Sequence, residues 1–277
     1  MNYSILTTLY KNDSPEYLKQ SIDSMLEQTV LTDDYVIVAD GPLTPELDSV
    51  LASYAGQYPF INLVRLPENG GLGVALREGL KHCKNELVAR LDADDLSMPE
   101  RCEMQLSLFE KEDDLAMVGS DMLEFADDPN VISDRKKMPT EPDEIYRYGK
   151  RRNPFNHSSV MYKKSVIESV GSYSTMRRSQ DVELWSKLLY AGHKCRNIGI
   201  PLIKFRCGDT RVKRKKKWSN VKSDLKIFRN NYKMGYAGFF DYMYVCITQI
   251  GFFILPSKLA GYLYMKLFRS KAGQETK

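Results

Sequence analysis

The sequence predicts an α/β protein: a mostly parallel central sheet with helices on both faces, plus an apolar helical extension at the C-terminus. Three observations predict it. Short apolar runs recur at residues 4–9, 35–39, 61–66, 87–91 and 115–119. Helical patterns opened by a cap or a proline stand between them, and repeated strand–helix–strand units give right-handed crossovers and parallel pairing. From residue 236 to 268 the chain turns strongly apolar and aromatic, before a short polar tail.

Each element has its own justification. The five runs are too short for helices and suit strands buried on both faces. The first helix opens at Ser14-Pro15 and sets Leu18, Ile22, Met25 and Leu26 on one face. The second opens at Thr44-Pro45, with Leu47, Val50, Leu51 and Tyr54. In both, a hydroxyl caps the free N–H groups and proline takes the first turn. The third runs from about Gly71 to Cys83 with Leu72, Leu76 and Leu80 inward. After the fourth strand, Ser97 is expected as the N-cap of a helix, with Pro99 in its first turn and Glu100 placed for a capping box. Further on, Val160-Met161-Tyr162 is a short strand candidate, 180–191 a helix stopped at Gly192, and 198–205 strand-like.

Composition narrows the function classes. With 277 residues and 43% hydrophobic content, the chain can bury a real core, which excludes wholesale disorder. A net charge of +4 gives no reason to expect a nucleic-acid partner. The charge is concentrated, however: Arg211-Val212-Lys213-Arg214-Lys215-Lys216-Lys217 holds six cations in seven residues. Such a run is either a solvated loop or a surface that meets anionic lipid or phosphate. Five scattered cysteines with no Cys-x-x-Cys pair argue against a disulfide framework or structural zinc, and for a reducing compartment. The N-terminus enters a strand-like run directly, with no leader pattern, so a cytoplasmic protein is expected.

The chemistry gathers at strand ends, where open α/β sheets bind ligands. Strand four leads into Asp92-Ala93-Asp94-Asp95. Carboxylates so close repel one another and need a counter-charge, which a hard divalent cation carrying a diphosphate would supply. Strand one ends Thr7-Thr8-Leu9-Tyr10, where a hydroxyl and a ring could bond and stack a base, although both residues are also ordinary β-formers. Strand two ends Asp40-Gly41-Pro42, a pattern that also makes a plain turn. Strand three leads to Asn69-Gly70-Gly71-Leu72-Gly73, a helix start whose N–H groups could hold phosphate or a polar sugar. These glycines follow the third strand rather than the first, so they are not a dinucleotide fingerprint.

Together these pieces resemble the family 2 glycosyltransferases, which have the GT-A fold. They stand in family order: Thr8-Leu9-Tyr10; Asp40-Gly41-Pro42; Asn69-x-Gly71-x-x-x-Ala75-x-x-x-Gly79; Arg90-Leu91-Asp92-Ala93-Asp94-Asp95, with Pro99-x-Arg101 and Gln105; Asn153-Pro154-x-x-His157-x-Ser159-Val160; and Gln180-Asp181 with Leu184-Trp185. The resemblance covers about residues 3–206 and is most like the small members that build bacterial capsule, exopolysaccharide and O-antigen repeat units. It implies inverting, metal-dependent transfer of one sugar from a UDP-sugar to a lipid-linked saccharide, with Mn²⁺ or Mg²⁺ as cofactor. Thr8, Tyr10 and Asp40 match positions that hold uracil. Asn69 and Gly71 belong to the donor-binding glycine motif. Asp92 and Asp94 match the D-x-D motif, contacting donor ribose and metal, and Asp181 matches the catalytic base. Ala39, Arg77 and Gln180 depart from the family's usual Asp, Asn and Glu. No Gln-x-x-Arg-Trp motif follows Asp181, which speaks against processive polymerisation. His157 reads as a hydrogen-bonded structural residue rather than a ligand.

The residue types suit this chemistry. In an inverting transfer the acceptor hydroxyl attacks the anomeric carbon, and one carboxylate takes its proton. A nucleotidyltransferase and an inactive scaffold of the same fold remain alternatives, although Tyr10-Lys11-Asn12-Asp13 lacks a glycine-rich phosphate loop and the three key aspartates are kept. The expected organisation is a catalytic domain over 1–206 (a nucleotide-binding half, 1–120, and an acceptor half, 121–206), a basic linker or helix over 207–235, and an apolar membrane-associating segment over 236–277. The stretch 242–255 is too short to cross a bilayer, at ~1.5 Å per residue against a core of roughly 30 Å. It reads as a helix lying at an anionic membrane surface, which would make the protein peripheral at the inner face of the cell membrane. Completion of the core, or a homo-oligomer interface, remains open for this segment.

Overall fold

The computed structural model describes residues 1–207, 217–256, 259 and 270–271. The N-terminal half is the expected alternation. Strands β1 (Tyr3–Leu9), β2 (Asp34–Ala39), β3 (Ile61–Arg65) and β4 (Leu87–Asp92) alternate with helices α1 (Pro15–Leu26), α2 (Pro45–Gln57) and α3 (Leu72–His82). Ser14 and Thr44 cap α1 and α2 as expected, each accepting the N–H three residues on at 3.4 Å.

The remaining elements are β5 (Leu96–Ser97), α4 (Arg101–Lys111), β6 (Leu115–Phe125), β7 (Ile132–Lys136), α5 (Pro142–Gly149), β8 (Met161–Lys163), α6 (Lys164–Ser169), α7 (Gln180–Tyr190) and β9 (Lys194–Arg206). Two helices, α8 (Trp218–Lys233) and α9 (Phe239–Ile254), and a short β10 (Ser270–Lys271) follow. Strand order is β10-β7-β6-β8-β4-β1-β2-β3. The block β4-β1-β2-β3 is parallel, whereas β8, β6 and β7 join antiparallel. Strand β9 runs parallel along β6 through several register shifts and also pairs antiparallel with β5.

The strands alternate between two cores, as the two-residue period of a strand requires. Ile5, Tyr35, Ile37, Ala89 and Leu91 face α1, α2 and α4, meeting Leu18, Ile22, Leu51 and Phe109. Leu6, Val36, Val38 and Val88 face α3, α5 and α7, meeting Leu76, Leu80, Ile145 and Trp185. Helices therefore cover both faces.

The expected cap at Ser97 is not formed. Ser97 lies in β5, and α4 begins at Arg101 after Glu100, with no side-chain cap. Tertiary partners have taken its polar groups: its N–H donates to Ser24 Oγ at 3.1 Å, and its hydroxyl accepts from Gln28 at 3.1 Å. Strands β6 and β9 are longer than the sequence suggests, and β7 and α5 give little sequence signal. In β7 only Ile132 is a large apolar residue among Ser133, Asp134, Arg135 and Lys136.

Helices α8 and α9 form an antiparallel hairpin, with Trp218 against Phe253 and Tyr232 against Phe239 and Tyr242. The hairpin is fastened to the α/β body. Tyr236, where the apolar segment begins, is buried in the α7 core and donates to Tyr146 O at 2.9 Å. Asn231 donates to Ser186 at 2.9 Å, and Arg151 pairs with Asp241 at 2.6 Å. Among the described residues, no helix is long and apolar enough to cross a membrane. Lys217 is exposed; the rest of the basic run, Arg211 to Lys216, lies outside the described residues, as does most of the apolar stretch after Pro256.

Candidate active site

The carboxyl ends of β1, β2 and β4 lie side by side. Thr8 is in register with Val38 on one side and Asp92 on the other. Thr8 is buried at the strand end, and Tyr10 stands exposed at the rim.

Asp40 organises the glycine loop. Its Oδ1 accepts the Gly70 N–H at 2.8 Å, and its Oδ2 accepts the Gly71 N–H at 2.9 Å and Asn69 Nδ2 at 2.9 Å. The neighbouring Gly41 has φ +86°, and a Cβ there would lie 2.7 Å from Asn69 N, so only glycine lets the two turns touch. Gly71 (φ +90°) precedes α3 with no side-chain cap, which leaves N–H groups at this helix start for a ligand.

Asp92, Asp94 and Asp95 form a cluster in which one carboxylate oxygen of each lies within 4.8 Å of the others. Buried Arg90 grips Asp92 with both guanidinium ends, one at 2.8 Å. Asp94 faces solvent; desolvation and the charge of Asp92 push its carboxyl up to about 6. Buried Asp95 is pushed well above the ordinary carboxylate range, by desolvation and then by Asp92 and Asp94. Its Oδ1 accepts the Arg206 N–H at 2.9 Å, while its buried Oδ2 forms no hydrogen bond among the described residues.

A fourth carboxylate looks on. Asp13 accepts the Tyr10 N–H at 2.8 Å and is raised to about 6, mainly by desolvation, with contributions from Asp94 and Asp92. Arg206 closes the far side. Its Nε donates to Asp94 O at 3.0 Å and a terminal nitrogen to Gln20 at 2.6 Å, while the guanidinium stacks on Tyr17 at 3.8 Å and Phe125 at 4.5 Å.

Asp181 opens α7 after Ser179, whose φ of 55° is unusual for a residue other than glycine. Asn153 Nδ2 donates to Asp181 Oδ2 at 2.7 Å. Desolvation raises the Asp181 carboxyl; the Val182 amide, Asn153 and the charge of Arg90 partly offset it. Arg90 thus links Asp181 electrostatically to the cluster. Behind them, His157 meets the Tyr173 hydroxyl at 3.2 Å, and both rings pack on Trp185. Burial and the nearby Arg90 charge hold His157 well below its usual value, and the ring is hydrogen-bonded, as expected from the sequence.

Several motif residues serve as internal ties. Arg101 donates to Arg90 O at 2.7 Å and Val160 O at 3.1 Å, and Gln105 bridges Val118 O and Ser159 O. Ser158 Oγ accepts the Asp92 N–H at 3.1 Å. Sequence reasoning missed Asp13, the grip of Arg90, and Arg206. A charge inside an apolar strand run was the available signal for Arg90. Arg206 sits 112 residues from its partner Asp94 and carried none.

Known proteins resemble this chain in sequence and in fold. The family model described as Glycosyl transferase family 2 matches residues 4–179. The chain is 34% identical, over 96% of its length and 96% of the relative's, to the Escherichia coli UDP-Gal:alpha-D-GlcNAc-diphosphoundecaprenol beta-1,3-galactosyltransferase. It is 32% identical, over 95% of its length and 98% of the relative's, to the amylovoran biosynthesis glycosyltransferase AmsE of Erwinia amylovora. Among solved structures, S. aureus TarS with UDP-GlcNAc matches at TM-score 0.64, with 14% identity, 97% of this chain and 74% of that one. The mannosyltransferase PcManGT from Pyrobaculum calidifontis, with GDP-Man and Mn²⁺, matches at 0.63, with 17% identity, 94% of this chain and 71% of that one. At these identities the two structures speak for the fold alone.

Proposed function

This chain belongs to glycosyl transferase family 2 and is a glycosyltransferase; we propose that it moves one sugar from a UDP-sugar to a lipid-linked saccharide, with inversion, in bacterial surface polysaccharide assembly at the inner face of the cell membrane. The observation that supports this reading is that an Asp40-ordered helix start and a cluster of three aspartates stand at neighbouring strand ends, with Asp181 under the influence of the same Arg90 charge that grips Asp92. The Escherichia coli relative supports the donor and acceptor classes, since its name gives UDP-Gal as donor and a diphosphoundecaprenol-linked sugar as acceptor.

Thr8, Tyr10 and Asp40 are assigned to the uracil end of the donor. Asp40 has one carboxylate lone-pair site beyond the three bonds it accepts, enough for one further donor. Asn69 and Gly71 are assigned to the donor's polar groups at the start of α3. Asp181 takes the proton of the acceptor hydroxyl as the new C–O bond forms and the bond to the diphosphate breaks; general-base help of this kind is worth roughly 10²–10⁴-fold. Asn153 holds the Asp181 carboxylate in place and offsets part of the upward push of burial.

The residues present fit a divalent cation. The donor set is all oxygen, the carboxylates crowd within 4.8 Å, and Asp95 Oδ2 is buried without a hydrogen bond among the described residues. Asp92 and Asp94 would hold Mn²⁺ or Mg²⁺, with Asp95 behind them. Such an ion, when bound, neutralises charge building on the leaving diphosphate. The test is a donor screen with purified protein, a divalent cation and a lipid-linked acceptor, alongside calorimetry with UDP and GDP. Product from a UDP-sugar, with tighter UDP binding, is expected; equal affinity for the two nucleotides would overturn the donor assignment.

A further inference from the structure

The outer face of the α8–α9 hairpin carries two adjoining stripes that the catalytic reading does not use. On α9, Phe239, Phe240, Met243, Ile247, Ile250 and Ile254 are all exposed, with Phe240 at 82%, Ile254 at 73% and Ile247 at 66%. At about 100° per residue these six fall within an arc of roughly 100°, and the arc runs the length of the helix, about 24 Å. No charged residue interrupts it. The helix's one acid, Asp241, lies on the opposite side, paired with Arg151, next to buried Val245.

On α8, exposed Lys222, Lys226, Arg229 and Lys233 recur at helical spacing and line one side. Aromatic residues join the two stripes. Trp218 packs on Phe253, and Tyr232 packs on Tyr242 and Phe239. The hairpin thus passes from cations, through rings, to bare aliphatic surface. An apolar stripe of this extent left open on a helix face is unusual for a surface that meets only water.

We propose that this face is the surface by which the protein docks on an anionic bilayer. Helix α9 lies in the interface plane with Phe240, Ile247 and Ile254 among the acyl chains, and α8 lays its four cations over the headgroups. Charge complementarity chooses lipid over a second copy of the chain. A two-fold pairing through the apolar stripe brings the flanking cationic stripes of both copies to one interface, where like charges repel. Against anionic headgroups the same cations attract. The aromatic seam sits where amphipathic rings favour the boundary between water and hydrocarbon. The inference deepens the proposed membrane location; it depends on the lipid-linked acceptor only for its purpose.

The experiment is flotation of the full-length protein with vesicles of phosphatidylcholine alone or mixed equally with phosphatidylglycerol. The wild type is compared with Phe240→Asp/Ile247→Asp and with Lys226→Glu/Arg229→Glu. UDP affinity by calorimetry reports on the fold and the donor site. The expected result is flotation only with phosphatidylglycerol, at least tenfold weaker binding in both variants, and unchanged UDP affinity. Wild type that stays at the bottom, or variants that float equally well, would overturn the proposal. So would a wild-type dimer, seen by sedimentation, that Phe240→Asp splits without any change in flotation. Flotation that persists in a protein with no affinity for UDP would sink the donor assignment and leave the docking surface standing.

Discussion

The Asp40 carboxylate accepts the backbone N–H of Gly71 at 2.9 Å, and with Gly70 and Asn69 it receives three hydrogen bonds among the described residues. The residue at the end of β2 therefore shapes the loop that starts α3, besides any contact with a donor. Its loss should be felt twice. Asp40→Ala leaves two amides and a side-chain amide without their acceptor, which costs about 1–3 kcal/mol of stability. UDP binding should weaken by a further tenfold or more. Denaturant midpoints and calorimetry read the two effects separately, and a variant of unchanged stability would contradict the loop assignment.

Asp181→Asn keeps the shape and the bond to Asn153 but cannot take a proton. Turnover should fall by about 10²–10⁴-fold with UDP affinity retained. Glu183 is the control carboxylate: it accepts from Ser174 and pairs with Lys187 at 3.0 Å, a structural role. Single-turnover assays in which Glu183→Gln abolishes transfer and Asp181→Asn does not would reverse the assignment.

As the proposed base, the same residue should set a pH dependence. Desolvation raises the Asp181 carboxyl above its ordinary value, and the base works only when ionised. Activity should therefore be full at neutral pH and be lost on acidification at a higher pH than an ordinary aspartate would require. The acid limb of the kcat/KM profile measures this. A limb at or below the unperturbed aspartate value of about 3.9 would exclude Asp181 as the titrating base.

Arg206 donates to Asp94 O at 3.0 Å, and its own N–H binds Asp95 Oδ1 at 2.9 Å, so it fixes the backbone that carries the acidic cluster. Arg206→Met should lower Mn²⁺ affinity by about 10–100-fold, the usual effect of removing a group that orients metal ligands. Arg206→Lys should not rescue it, because an ammonium lacks the planar fork that reaches Gln20 and Asp94 at once. Mn²⁺ titration followed by electron paramagnetic resonance gives the affinities directly. Asp94→Ala should abolish the bound signal, and chelator should abolish transfer.

Gly73 on α3 touches the segment that leads to Asp181: a Cβ there would fall 2.2 Å from Ser174 O. Gly73→Ala must push that backbone away. Turnover should drop while UDP affinity stays within a few-fold, because the displaced part carries the proposed base and not the proposed donor loop. Unchanged kcat in Gly73→Ala would show that the segment tolerates the shift.

Much of this protein is determined by its sequence alone. The apolar runs of β1 to β4, the Ser14 and Thr44 caps and the glycines at 41 and 71 are local patterns, each set by backbone sterics or by the two-residue period of a strand, and each is legible without tertiary contacts. The strand-end acids are equally local, and the order of motifs around them marks the family. Tertiary structure decided what local patterns do not encode. Ser97 has the residue type of a helix cap, yet it serves β5 because Gln28 and Ser24 claim its polar groups. Strand β7 is polar in sequence and exists because β6 offers it a pairing edge. Arg206 and Asp13 reach the acidic cluster only because chain segments far apart in sequence meet in space, whereas Arg90 grips Asp92 from two residues away. The electrostatics of the site follow from that meeting, since desolvation and neighbouring charge, rather than residue type, set where Asp13, Asp94 and Asp181 titrate.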